Sequence, residues 1–241
     1  TVYYQEAFYN IKEEMDRKNL ILCEDASAQT FIKKLLIHLK IDDYFSVEYR
    51  HGGAETLVTK HLPILALDEM YDKVFIILDG DKKPDKLVEY SEIPAGEIED
   101  VECLEKYIRG LTSSNAIINA LVDGGKNGAV ESQKIDVYKK YLKYAETHLY
   151  YLPGNCIPEA IVLQFDGIDD IYGDRILKPI DNINAKRSVG NICQTIFSED
   201  NCRNSTMVML TKQWIEAGGK AKYYDEMCNM LKEIYNYCNC K

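Results

Sequence analysis

Residues 73–81 read KVFIILDGD, a run of five apolar residues followed by two aspartates that flank a glycine. An apolar run of this length predicts a strand that is buried on both faces, which is typical of a parallel sheet. Residues 20–25 read LILCED and repeat the pattern, because a short apolar run again ends in two acids. Residues 45–49 and 148–152 have the length and composition of two further strands.

Between these strands, the helical spacing of apolar side chains predicts crossover helices. Phe31 and Leu35 lie on one face of a helix that we expect Ser27 to cap. Residues 55–70 predict a second helix, which Pro63 should kink or break. Strands that alternate with helices in this way require βαβ crossovers. The sequence therefore predicts an α/β fold with a Rossmann-like parallel sheet of about four strands.

The same patterns divide the chain into three regions. Residues 1–18 carry apolar side chains such as Tyr4 and Phe8 at helical spacing, which predicts an N-terminal helix. Residues 19–166 contain all the predicted strands and form the expected α/β domain. Residues 167–241 show mainly helical periodicity, so we expect a helical C-terminal extension.

Composition narrows the class of protein. The chain is 46% hydrophobic and 28% charged, as globular proteins are, and its apolar runs are too short to cross a bilayer. We expect a cytoplasmic protein without membrane association, whose 8 cysteines stay reduced in that compartment. No cysteine has the spacing of a zinc site. The net charge of −10 argues against binding nucleic acid through bulk positive charge. A nucleic-acid substrate would therefore require a partner domain or subunit.

Acidic residues follow three of the predicted strands. Glu24 and Asp25 follow the first, Asp79 and Asp81 follow the third, and Glu159 lies just beyond the fourth. In an open parallel sheet, ligands bind outside the carboxyl ends of the strands, so we expect these side chains to meet at one edge. Carboxylate oxygens without nearby His or Cys suit Mg²⁺ or Mn²⁺. The pattern predicts a divalent-cation site that activates water for attack on a phosphodiester.

These residues resemble the Toprim fold that topoisomerases, bacterial primases and several nucleases share. The similarity lies in the apolar strand that ends in Glu24, in Gly52-Gly53 after the second strand, and in Asp79-Gly80-Asp81 after the third. Residues 151–159, YLPGNCIPE, are similar to a segment of one branch, the overcoming-lysogenization-defect (OLD) nucleases. The resemblance covers residues from about 20 to 165.

The resemblance implies a metal-dependent endonuclease that works with an ABC-type ATPase domain or subunit, in phage defence or DNA repair. DNA is favoured over RNA as the substrate, and the formation of homo-oligomers stays open. The metal ligands would be Glu24, Asp79, Asp81 and Glu159, with Asp25 adjacent. Glu24, Asp79 and Asp81 would also be the catalytic acids.

The sequence departs from the family pattern at three points. Asp25 stands where Toprim domains most often have Gly, and Ala28 stands where the nuclease branch often has a second carboxylate. A full two-metal site would then require Asp25 to substitute. The family also uses a lysine from its C-terminal region, for which Lys186 is the first candidate and Lys212 the second.

Other interpretations of the same residues stay open. Asp79-Gly80-Asp81 is also typical of a solvated turn, and Glu159 would be favoured by the dipole of its helix without any function. An acidic pair after the first strand also suits a response-regulator-like receiver domain that is phosphorylated at Asp79. The loss of the carboxylate at Ala28 suits a degenerate, non-catalytic Toprim module used for assembly.

Overall fold

The computed structural model describes residues 18–68, 71–122, 131–197 and 202–239. The strands are β1 (Asn19–Cys23), β2 (Phe45–Tyr49), β3 (Val74–Leu78) and β4 (Leu149–Tyr151). The α-helices are α1 (Ala26–Leu39), α2 (Gly53–Thr56), α3 (Leu62–Leu65), α4 (Val101–Arg109), α5 (Glu131–His148), α6 (Pro158–Val162), α7 (Ile168–Tyr172), α8 (Asn182–Phe197), α9 (Arg203–Ala217) and α10 (Tyr224–Asn239). The helix predicted for residues 1–18 lies outside the described residues, apart from Lys18.

The four strands form one parallel sheet in the order β2-β1-β3-β4. All five residues of β3 are buried, because β3 lies inside the sheet and helices cover both of its faces. The predicted α/β class, with a Rossmann-like parallel sheet, is confirmed, and so is the mainly helical C-terminal region.

The side chains of β1, β3 and β4 alternate between two hydrophobic cores, whereas β2 contributes to one of them. Ile21 and Phe75 contribute to the core that α1 and the C-terminal helices cover. Leu20 and Val74 contribute to the core on the opposite face, which α3 and α5 cover. This division follows from the two-residue period of a strand, since successive side chains point to opposite faces.

The strand order creates a topological switch point between β1 and β3. The chain leaves β1 toward β2 on one side, then crosses β1 to reach β3 and continues outward to β4. The two directions of travel place their crossover helices on opposite faces, because such crossovers are right-handed. The carboxyl ends of β1 and β3 are therefore the place where a doubly wound sheet of this order binds its ligands.

Two local predictions need correction. The N-cap of α1 is Asp25, whose Oδ1 accepts a hydrogen bond from the Ala28 N–H at 2.9 Å, and not Ser27. The helix predicted over residues 55–70 is interrupted by a π-helical turn, Leu57–His61, and α3 ends at Leu65. Pro63 is the second residue of α3 and has no N–H group to donate, and the helical run over residues 53–65 continues past it, so the proline does not break the helix.

The C-terminal helices share the hydrophobic core on one face of the sheet with α1 rather than forming a core of their own. Trp214 on α9 is fully buried, and its ring meets the edge of Phe31 on α1 with centroids 5.4 Å apart. Leu231 on α10 joins the same cluster. No helix that the structure describes is long and apolar enough to cross a membrane.

Candidate functional site

Glu24 and Asp79 follow the two neighbouring strands at the switch point, and they contact each other directly. The Asp79 backbone N–H donates a hydrogen bond of 2.7 Å to Glu24 Oε1. Burial raises the pKa of Glu24, although this hydrogen bond and the nearby ammonium group of Lys82 act in the opposite direction. The ends of β1 and β3 are therefore held together by a carboxylate that is itself partly removed from water.

Asp79 is the most perturbed acid of the site. Its side chain is buried, and Oδ1 has no hydrogen-bond partner. Burial raises its pKa to about 9, and the negative charges of Glu24, Asp25, Asp81 and Glu159 add to the effect in that order. The other four predicted metal-site acids thus lie close enough to act on the Asp79 carboxyl group.

Asp81 and Gly80 complete the turn after β3. Asp81 Oδ2 accepts a hydrogen bond of 2.8 Å from Lys82 Nζ, whereas Oδ1 is buried without a partner. Gly80 approaches the loop after β4 so closely that an added Cβ would lie 2.5 Å from the Leu152 carbonyl oxygen and 2.6 Å from the Cys156 nitrogen. Glycine at position 80 is therefore required for close packing, and this contact brings the loop after β4 to the same edge.

Glu159 reaches the site from that loop, near the start of α6. Only 1% of the residue is exposed. Its Oε1 accepts hydrogen bonds of 3.0 Å from the Ser27 hydroxyl and 3.0 Å from Arg203, while Oε2 is buried without a partner. The carboxylate thus links α1, α6 and the first residue of α9.

The positively charged side chains that contact these acids are not the lysines that were predicted. Lys186 and Lys212 are exposed, and Lys212 pairs with Glu216 at 3.8 Å. Within the described residues, neither makes a hydrogen bond or an ion pair with the acids at the strand ends. The acids instead contact Lys82 and Arg203. The catalytic role of Lys186 stays a prediction.

Arg203 and Ser27 were missed as site residues because no local pattern marks them. Arg203 is 44 residues from Glu159 along the chain, and Ser27 is 132 residues from it. Ser27 has the residue type of an N-cap and was interpreted as one. Only the packing of α1 and α9 beside α6 shows that both side chains are donors to a buried acid.

The acids have the chemistry of divalent-cation ligands, and three of them have an oxygen that lacks a hydrogen-bond partner. Asp79, Asp81 and Glu159 each have a buried carboxylate oxygen without a hydrogen-bond partner, which is costly unless something satisfies it. Within the described residues, no group of three or more His, Cys, Asp or Glu side chains is already arranged around one point as metal ligands. The other oxygen of Asp81 accepts a hydrogen bond from Lys82, and that of Glu159 accepts hydrogen bonds from Ser27 and Arg203. A cation would have to draw the carboxylates together.

Comparisons with known proteins identify no relative. The sequence matches no family model and no curated protein, and no solved structure matches the chain.

Proposed function

We propose that this chain is a Toprim-type nuclease domain that hydrolyses phosphodiester bonds, in DNA rather than RNA. Mg²⁺ or Mn²⁺ would be held by Glu24, Asp79, Asp81 and Glu159, with Asp25 beside them. One observation carries the proposal: three of these acids have buried, unpartnered carboxylate oxygens at the edge of the sheet where β1 and β3 end. Hard oxygen ligands at a switch point suit a divalent cation and a phosphorylated substrate.

A bound divalent cation would polarise the phosphoryl oxygen and lower the pKa of a coordinated water molecule. The role of the chain's own residues is to hold the carboxylate ligands in place and to orient them. Glu24 is fixed by the Asp79 N–H, and Glu159 is fixed by Ser27 and Arg203. The pKa of Asp79 is raised to about 9 mainly by burial, and a neighbouring cation would favour its ionised, ligating form.

Two positive side chains border the acids and could contact the phosphate group. The Arg203 side chain is 47% exposed although one of its nitrogens contacts Glu159, so its remaining donors can reach a phosphate oxygen. Lys82 is 34% exposed beside Asp81. A guanidinium or ammonium group at this position would stabilise the negative charge that develops on the phosphate. We propose Arg203 for this role, ahead of Lys186.

The net charge of the chain indicates that a partner must supply DNA binding. A chain with a net charge of −10 has little unaided attraction for DNA, whose phosphates dominate its binding energy. We therefore propose that an ABC-type ATPase domain or subunit supplies DNA binding and couples cleavage to ATP, in phage defence or DNA repair.

Nicking of supercoiled plasmid tests the nuclease proposal. We expect cleavage by the purified protein with Mn²⁺ or Mg²⁺ and none with EDTA. Asp79→Asn should lower the rate at least about 100-fold, because losing a metal ligand removes several kcal/mol of transition-state stabilisation. Asp85→Asn is the matched control, since Asp85 is an exposed acid a few residues further along the same loop. Equal cleavage by the two variants would refute the assignment of the site.

One structural observation favours the receiver alternative. The order β2-β1-β3-β4 is also that of the first four strands of the flavodoxin-like sheet, which receiver domains share. Against it, Asp79 is only 6% exposed and would be a poorly accessible phosphate acceptor. Incubation with acetyl phosphate separates the two functions. Stable labelling that Asp79→Asn abolishes would support a receiver, and its absence alongside metal-dependent nicking would support the nuclease.

A further inference from the structure

The two edges of the sheet differ in how their backbone groups are covered. At the β2 edge, the Val47 carbonyl oxygen accepts a hydrogen bond of 2.8 Å from the side-chain amide of Gln29. Glu48 on the same strand forms an ion pair with Arg50, which directly follows the strand. Both features are typical of edge strands that are protected from pairing with another chain.

The β4 edge has no such cover among the described residues. The Leu152 N–H donates to the Leu78 carbonyl at 2.9 Å, so the backbone groups of Tyr150 and Leu152 face β3. Strand backbone groups alternate in direction, so the Leu149 carbonyl and both backbone groups of Tyr151 point away from the sheet, whereas the Leu149 N–H closes the last turn of α5. The outer side of β4 offers hydrogen-bonding groups to an additional strand.

This edge lies along a groove with a volume of about 410 Å³. One wall is the segment that includes Leu87 and Val88, and the other is the face of α10 that carries Met227 and Met230. Residues 149–155 form the floor between them. The apolar walls on both sides of the strand suit a peptide whose side chains alternate between the two.

The charges that line the groove are nearly all negative. The carboxylates of Glu89, Glu146, Glu226 and Glu233 contribute to the lining, and Lys83 contributes the one ammonium group among the described residues that form it. Four carboxylates would repel a nucleic-acid backbone, and they would also repel the identical groove of a second copy. They favour a ligand with positive side chains.

We propose that this groove binds an extended, lysine- or arginine-rich segment of a partner protein, which pairs with β4 as a fifth strand of the sheet. The partner's backbone would bond to the outward groups of Leu149 and Tyr151. Its apolar side chains would pack on Val88 and Met230, which are partly exposed, and its positive side chains would lie near Glu226 and Glu233. This interaction does not depend on the nuclease proposal, because none of these residues belongs to the acidic site.

Fluorescence anisotropy of a labelled short peptide of alternating lysine and valine tests the proposal on the full chain. We expect saturable binding that weakens as salt is added, because exposed charge pairs are screened. The same peptide with glutamate in place of lysine should not bind. Methylation of alternate backbone nitrogens should weaken binding about tenfold or more, because it removes strand hydrogen bonds but keeps every charge.

Charge reversal on the groove wall provides the matched pair of variants. Glu226→Lys with Glu233→Lys should weaken peptide binding about tenfold, as expected for the loss of two exposed ion pairs. Asp225→Lys with Glu216→Lys makes the same change in net charge, but neither residue lines the groove. This control should bind as the wild-type protein does. Slower amide exchange of Tyr151 on peptide binding would place the ligand on the strand edge.

Several results would overturn the proposal. Equal binding by both double variants, or by the methylated peptide, would mean that the contact is non-specific. A short DNA single strand that competes with the peptide would assign the groove to nucleic acid. A dimer of the free protein that the peptide dissociates would assign the edge to a second copy.

Discussion

Replacing Asp79 with Asn is expected to make the metal-free protein more stable while it removes the proposed nuclease activity. The residue is 6% exposed, and one of its carboxylate oxygens has no partner. Four other acids act on it, so its ionised form is disfavoured by burial and by like charge together. Asn has nearly the same shape and carries no charge.

The magnitude follows from linkage between protonation and folding. The pKa of Asp79 is about 9 in the folded protein and 3.8 for an ordinary aspartate, so the unfolded chain releases the proton first as the pH rises. The contribution of Asp79 to the free energy of unfolding therefore falls as the pH rises from about 3.8 toward 9. At about pH 7 the accumulated loss is about 4 kcal/mol, which is an upper limit on what Asn can recover. We expect a gain of about 1–4 kcal/mol, because the Asn amide also needs hydrogen-bond partners.

Urea unfolding in EDTA measures this gain. The advantage of Asp79→Asn over the wild type should be larger at about pH 7 than at about pH 5, because less of the pH-dependent loss has accumulated at the lower pH. Asp85→Asn, at an exposed position, should change stability by less than about 0.5 kcal/mol. Added Mn²⁺ should stabilise the wild type and Asp85→Asn, but not Asp79→Asn.

Two results would refute this reasoning. If Asp79→Asn is destabilised equally at both pH values, the carboxyl group stabilises the fold and carries no charge penalty. If Mn²⁺ leaves the unfolding midpoint of the wild type unchanged, the cluster does not bind the cation, and a non-catalytic module becomes the better interpretation.

Three further predictions concern the surroundings of the site. Arg203→Met should lower the free energy of unfolding in urea by about 1–3 kcal/mol, because it leaves the buried carboxylate of Glu159 without its positive partner. Arg109→Met is the control, since Arg109 is about equally exposed but pairs with the more exposed Glu105, and it should cost less than about 0.5 kcal/mol. Burial lowers the pKa of His61 to about 4, with help from two nearby positive charges. Protonation of His61 should therefore reduce the free energy of unfolding by up to about 3 kcal/mol as the pH drops from about 6.5 to 4. Asp79 acts in the opposite direction over this range, so the effect is measured as the difference in urea unfolding between the wild type and His61→Gln at each pH. Gly80→Ala should lower the free energy of unfolding by about 1–3 kcal/mol, since the added Cβ would collide with backbone atoms. Gly96→Ala is the control, because no atom lies within 4 Å of its added Cβ, and it should be nearly neutral. Equal thermal midpoints for the two variants would contradict the close packing after β3.

Local sequence was sufficient for the architecture. The apolar runs at 20–23 and 74–78 predict buried strands because every side chain in them needs cover, which only a parallel sheet with helices on both faces supplies. The placement of Glu24 and Asp79 followed as well, since both come directly after such a run. Their close approach is a consequence of adjacent parallel strands that end at the same edge.

Tertiary structure alone determined the partners of the acids and the details of the helices. Ser27 and Arg203 act on Glu159 because α1 and α9 pack beside α6, and no periodicity along the chain encodes that contact. The pKa of Asp79 depends in the same way on charges from four different positions in the fold. Burial and charge add up over distances in space, whereas a sequence pattern reports only the neighbours along the chain.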